Sequence, residues 1–404
     1  MERLRKEFKL DHKLNRRPPQ IDAILLIDRS IDLISPMLTQ LTYEGLLDEI
    51  FGIKNSSIKL PAVKFAQLEQ KPSAGSGRDL AAADPPTELR QFTLNSSEEL
   101  YVSLRDQNFN AVPIALKTTS KHLNEQFEER HKAKSITELK AFVDKIPFLQ
   151  AKRKSLANHL VIAELVTEVT SSEQFRSCLE TEQEFVVLQN SDKINVYIEE
   201  QLARSVSITK VLRLICLQSL INNGLKPKVL EFYKREVLQV YGFQQLLNLC
   251  NLEKCGLLRT YIGTTGRNYS TLRRLFKLTV DNVNEQNPND IAYVHSCFAP
   301  LTARLCQMMA TSGWKATSDL LRQVNEPFFE EFQEPAHVRR RRRNSVGSES
   351  SSTLNDDQKT VLVFFIGGST YAEIASLRFL SKQEDGKFDW HHTYDQINYN
   401  RLRI

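Results

Sequence analysis

Seven residues near the start, Ile21-Asp-Ala-Ile-Leu-Leu-Ile27, are almost all apolar, and the charged turn Asp28-Arg29-Ser30-Ile-Asp32 closes them. The run is too short for a helix, and its isoleucine content suits a strand. It predicts a strand buried on both faces, as in a parallel sheet covered by helices. Asp28 and Arg29 then fall at the carboxyl end, where open α/β sheets place ligands.

A second run of this kind, Val361 to Ile366, lies near the other end and is followed by Gly367-Gly368. Ser369 or Thr370 supplies a helix cap, the helix runs through Leu380, and Phe388 to Tyr394 reads as a further strand. Strand, helix and strand in this order form a crossover unit. The expected class is therefore α/β with a mostly parallel sheet built from both ends of the chain. A large helical insertion, comprising a hairpin and a helical subdomain, separates the ends.

The expected divisions are a basic leader (1–19), a discontinuous α/β domain (20–97 with 355–404) and an inserted helical domain (98–335). An exposed Arg/Ser-rich linker (336–354) follows. Within the first part, Ile58 to Phe65 and Leu89 to Leu94 read as paired strands around a Pro/Gly/Ser-rich loop. Residues 98–170 read as a long helical hairpin, with arms Glu98 to Arg130 and Lys134 to Val169. Ile136, Leu139, Val143 and Ile146 recur every three or four residues as an apolar stripe. Pro147 follows it and should keep the second arm from forming one straight helix, while Pro113 is a candidate kink in the first. Asn222-Asn223-Gly224 ends the apolar run 206–221, with Gly224 expected in the left-handed cap conformation.

Composition narrows the chemistry. Among 404 residues, 41% are hydrophobic, enough for a buried core. No segment approaches the about 18 apolar residues that suggest a membrane span, so any membrane contact would be peripheral. Six scattered cysteines form no Cys-x-x-Cys pair, and no histidine repeats at a metal spacing. Cys216 and Cys306 read as buried thiols, and His391-His392 as a strand or loop pair. The net charge is +5, and Arg339 to Arg343 alone could supply much of it, so no broad nucleic-acid surface is implied. Neither a metal nor a cofactor is expected.

Three features could still carry chemistry. Asp28, Arg29 and Asp32 could form an active site, but a structural ion-pair network that fastens the turn is favoured. Gly367-Gly368 could cradle a phosphate, yet it lacks the lysine and hydroxyl of a P-loop and the third glycine of a dinucleotide fingerprint. Ser345, just after the arginine run, fits a basophilic-kinase site on a solvated linker. An enzyme reading, a hydrolase or nucleotide-binding protein using the Asp28 and Gly367 turns, lacks a catalytic constellation.

The segments Ile21 to Pro36, Leu38 to Glu49, Gly224 to Val229, Tyr233 to Glu236 and Thr360 to Phe379 resemble the Sec-one/Munc-eighteen (SM) family. Within it they look like the vacuolar-sorting thirty-three type, and more its B form than its A form. The resemblance covers nearly the whole chain after residue 20. Members of the family carry an amino-terminal domain before the central strand. Here only Met1 to Gln20 precede it, so the chain reads as amino-terminally shortened.

The resemblance implies a non-enzymatic protein that binds SNAREs and templates their assembly. It also implies a sixteen-type sorting subunit as partner, bound through Lys234, Phe243 and Leu246. The SNARE-aligning hairpin would carry Ile136, Leu139, Val143, Lys145 and Pro147. The implied setting is the cytoplasm, peripheral on late endosome, lysosome and recycling endosome membranes. A scaffold subunit that binds the sorting partner but no SNARE is the third reading.

Overall fold

The structure, a computed structural model, describes residues 21, 23–69, 89–132, 136–188, 191–261, 263, 268–323, 328, 329, 331, 359–383 and 388–394. The leader, the 71–88 loop, Arg339 to Arg343 and Ser345 lie outside them. The chain runs β1 (Ala23–Asp28), α1 (Tyr43–Phe51), β2 (Ser57–Pro61), α2 (Ala62–Glu69), β3 (Leu89–Thr93) and α3 (Glu99–Leu104). There follow α4 (Val112–Lys132), α5 (Ile136–Thr170), α6 (Glu173–Leu188), α7 (Ser191–Ala203), α8 (Ile208–Ile221), α9 (Pro227–Tyr241) and α10 (Gln245–Lys254). The described elements end with α11 (Tyr269–Leu275), α12 (Leu301–Gln323), β4 (Lys359–Ile366), α13 (Tyr371–Gln383) and β5 (Phe388–Tyr394).

The two ends of the chain build one parallel sheet in the order β1-β4-β5, with Ala23 opposite Val361 and Asp28 opposite Ile366. Ile27, Val361, Val363 and Phe365 pack with residues of α12 and α13. The expectation of burial on both faces fails. Ile24 and Leu26 are 56% and 63% exposed, and Phe364 and Ile366 beside them are exposed too. Among the described residues, helices dress only one side, so the strands alternate between covered and bare. β2 and β3 form a separate antiparallel ribbon. The strand expected over 58–65 stops at Pro61, and Ala62 begins α2.

The hairpin differs from expectation in four respects. Its first arm begins at Val112, because Glu99–Leu104 folds as a short helix of its own. Pro113 sits in the first turn of α4, where the missing N–H removes no helical bond. The seam on α5 uses Phe142, Ile146, Leu149 and Leu156, packed with Leu116, Leu123 and Phe127 of α4. Val143 is one residue off that seam and 53% exposed.

Helix α5 also continues through Pro147 as one 35-residue helix. Proline there removes one hydrogen bond, and the packed seam on both sides holds the helix together without it. Pro147 is exposed, so Pro147→Ala restores a donor without disturbing packing. The expected result is a gain of about 1–3 kcal/mol for this segment, read as slower amide exchange around residue 147 with no change of shape.

Helices α6 to α12 share a core around Phe185, Ile215, Val237 and Phe298. Helix α8 ends in a Schellman arrangement, in which the Gly224 N–H donates to the Ser219 carbonyl at 2.7 Å. The left-handed cap is Asn223 (φ 56°), not Gly224 as expected. Gly224 has a separate constraint. Its φ is +111°, and a Cβ there would lie 2.6–2.7 Å from the backbone of Thr260 and Tyr261. Gly224→Ala is expected to cost about 1–3 kcal/mol, measured by urea unfolding.

Cys216 and Cys306 are buried, and burial pushes the Cys216 thiol up to about 12.

Candidate functional site

Arg29 follows β1 and turns back into the protein. Its Nη1 and Nη2 donate to the two carboxylate oxygens of Glu373, at 2.8 and 2.9 Å. Its Nε and Nη2 donate to the Asp32 carbonyl, at 2.9 and 2.5 Å. The bidentate partner is therefore a residue that sequence reasoning did not assign to this turn. The signal was present as Thr370-x-x-Glu373, a capping box. Thr370 Oγ1 accepts from the Glu373 amide at 3.1 Å, and Glu373 Oε2 accepts from the Thr370 amide at 2.8 Å. Thr302 Oγ1 donates to Glu373 Oε1 at 2.6 Å. Burial disfavours the Glu373 carboxylate, but the Arg29 charge and these donors outweigh it and hold the group below its ordinary value.

The two aspartates have other tasks. Asp28 accepts from the Ser30 amide at 2.8 Å and caps the turn, and hydrogen bonding by the Ser30 hydroxyl and then its amide lowers the Asp28 pKa. Buried Asp32 collects the Ser35 amide and hydroxyl at 2.9 and 2.6 Å and the Leu301 amide at 2.9 Å, tying the turn to α12. Its side chain is only a 4.0 Å neighbour of Arg29.

Groups committed in this way are poorly placed for turnover. The space before Gly367 is taken by Arg29, whose Cβ lies 3.0 Å from where a Gly367 Cβ would be. Tyr43 Oη, His159 and Glu98 also form a chain, at 2.9 and 3.1 Å, that resembles a relay. Tyr43 is fully buried, and burial raises its pKa far above the ordinary value, so no nucleophile is presented to solvent. Among the described residues, no group of three His, Cys, Asp or Glu side chains could hold a metal.

The remaining candidates lie on helical surfaces. Val143, Lys145 and Pro147 are exposed on α5. Ile136 and Leu139 fall in the same helix, with side chains outside the described set.

Phe243 and Leu246 lie at the α9–α10 turn, and Lys234 lies midway along α9. Gly242 (φ 92°) ends α9, and Leu246 N–H closes the turn onto the Phe243 carbonyl. Phe243 and Leu247 are 74% and 73% exposed, and Leu246 is 38% exposed. Lys234 forms an ion pair with Glu253 of α10 and braces the two helices. Leu247 and Glu253 were missed, because sequence alone does not show which apolar residues of a short helix face outward.

The profile of the Sec1 family matches residues 1–393. Vacuolar protein sorting-associated protein 33A of Rattus norvegicus is 49% identical over 388 residues, covering 96% of this chain and 61% of the relative. The 33A protein of Drosophila melanogaster is 41% identical over 92% of this chain and 60% of its own length. The 33B protein of Homo sapiens is 26% identical over 94% of this chain and 62% of its own length. The expected lean toward the B form is thus not supported, since similarity to the A form is far higher. The chain spans about three-fifths of the length of these relatives.

Among solved structures, the SM protein Vps45 in complex with the Qa SNARE Tlg2 superposes with a TM-score of 0.61 at 16% identity. That match covers 99% of this chain and 64% of the other. The Unc18–syntaxin 1 complex from Monosiga brevicollis gives 0.57 at 16% identity, over 96% and 62%. The family match over residues 1–393 and the fold it shares with these SM proteins show that this chain belongs to the Sec1 family.

Proposed function

We propose that the chain is a non-enzymatic SM-type protein of vesicle-mediated transport. It aligns SNARE helices along the α4–α5 hairpin and docks a sixteen-type sorting subunit on the α9–α10 turn. The setting is the cytoplasmic side of late endosome, lysosome and recycling endosome membranes, with peripheral attachment through partners. Among the described residues, no helix is long and apolar enough to cross a membrane.

The family match over residues 1–393 carries this reading. Two fold relatives were solved with a SNARE or a syntaxin bound, which supports it. So do the exposed side chains of α5 and of the α9–α10 turn. The mechanism is templating: a rigid hairpin holds disordered SNARE segments in register, so the ordering entropy is met before they zipper.

A binding titration of labelled SNARE motifs against wild type and a Val143→Asp, Lys145→Glu variant tests it. Both positions are exposed, so the variant should fold, and it should bind SNAREs at least about tenfold more weakly. Equal binding removes the hairpin from the mechanism. Binding of the sorting subunit with no SNARE binding by either protein would favour the scaffold reading. Saturable heat on nucleotide addition would favour the enzyme.

A further inference from the structure

Gln218, on α8, is only 2% exposed. Its Nε2 donates to Asn195 Oδ1 at 2.6 Å, and Tyr233 Oη donates to the same oxygen at 2.9 Å. Turned over alone, the Gln218 amide would set two carbonyl oxygens against each other. Gln218 Oε1 is left buried with no partner in the protein. Such an acceptor is costly to bury unless a donor reaches it.

Gln218 forms part of the wall of a cleft of about 410 Å³. Asn222, Asn223, Asn268, Tyr261 and Lys226 also line it, and among the described residues no carboxylate does. The amino-terminal end of α9, a 15-residue helix, opens onto it, with Lys226 at the cap position and Pro227 beginning the first turn. The helix dipole and Lys226 favour an anion at that end. With no carboxylate among the described lining residues, a neutral hydroxyl suits Gln218 better than an ammonium. Planar amides suit neighbouring hydroxyls, and the half-exposed Tyr261 ring offers a flat face to a sugar-like ring.

We propose that this cleft binds a small polyhydroxy phosphate, with a hydroxyl on Gln218 and a phosphate at Lys226 and the start of α9. Free sugar or inositol phosphates and the headgroup of a phosphorylated inositol lipid share this chemistry. The site is at the opposite end of α9 from the Phe243 turn and does not depend on the partner reading.

The test is calorimetry on the full chain with inositol trisphosphate, glucose phosphate and inorganic phosphate. Sedimentation with phosphatidylcholine vesicles, with and without phosphatidylinositol phosphate, accompanies it. At least one ester should bind saturably, with inorganic phosphate at least about tenfold weaker. Lys226→Glu should weaken the ester at least about tenfold while raising stability, because a carboxylate suits a helix start. Gln218→Met should weaken it as well.

Co-sedimentation only with the inositol lipid supports the site with a membrane source. Binding of the soluble esters without co-sedimentation supports it with a free one. No binding of any probe at millimolar concentration overturns the proposal. So does ester binding that Lys226→Glu leaves intact, or inorganic phosphate binding as tightly as the esters.

Discussion

Arg29→Ala is expected to destabilise the protein by about 3–5 kcal/mol, the range for removing one partner of a buried ion pair. The Glu373 side chain is fully buried, and the Arg29 side chain is 12% exposed. Without Arg29, a carboxylate remains inside with only the Thr302 hydroxyl and the Thr370 amide as donors. Replacing both members with apolar residues of similar size should cost less than the single change, because no stranded charge remains. Urea unfolding of the three proteins decides it, and a loss under about 1 kcal/mol for Arg29→Ala would show the pair to be incidental.

The same pair fixes a pH dependence. The folded Glu373 pKa is below its ordinary value of 4.5. Its contribution is therefore complete above about 4.5 and is lost as pH falls through the lower folded value. Wild type should lose stability there on acidification more steeply than Glu373→Gln.

On the proposed docking mode, Phe243→Asp is expected to weaken sorting-subunit binding at least about 100-fold, roughly 2.7 kcal/mol, with Leu247→Asp close behind. A carboxylate would have to be desolvated without a partner in the contact. Both side chains project into solvent, so stability should move by no more than about 0.5 kcal/mol. Lys234→Glu is a poor probe, because it sets a like charge against Glu253 and disturbs the α9–α10 brace. Co-elution on gel filtration, with melting curves for each variant, reads both effects. A folded Phe243→Asp protein that still co-elutes would place the subunit elsewhere.

The parts of the fold legible in the sequence were those with a local cause. Val361 to Ile366, the glycine pair and the Thr370 cap announce strand, turn and helix in order, and β4, α13 and β5 follow that order. Burial and partners were less legible. Val143 fits a stripe of threes and fours as well as Phe142 does, and only the position of α4 chooses between them. Pro147 looks like a break by propensity, but the packed seam overrides it. Arg29 was recognised as an architectural arginine, while its partner is 344 positions away and no periodicity connects them. Gln218 gave no signal, because a buried glutamine with half its amide unpaired resembles any polar residue in an apolar run.

The pairing of β1 with β4 also sets an order of events during synthesis. Ribosomes add about 5–20 residues per second, so the 344 positions between Arg29 and Glu373 take roughly 17–70 s to emerge. Throughout that interval β1 has not met β4, and Arg29 has not met Glu373. The helices in between make mostly near-neighbour contacts and can consolidate first. Their prior compaction brings the distant ends close and shortens the loop that must be closed. Among the described elements, the β1–β4 pairing thus forms after the intervening helices. Until it does, Ile24 to Ile27 is an apolar segment without its β4 partner, of the kind that holding chaperones protect.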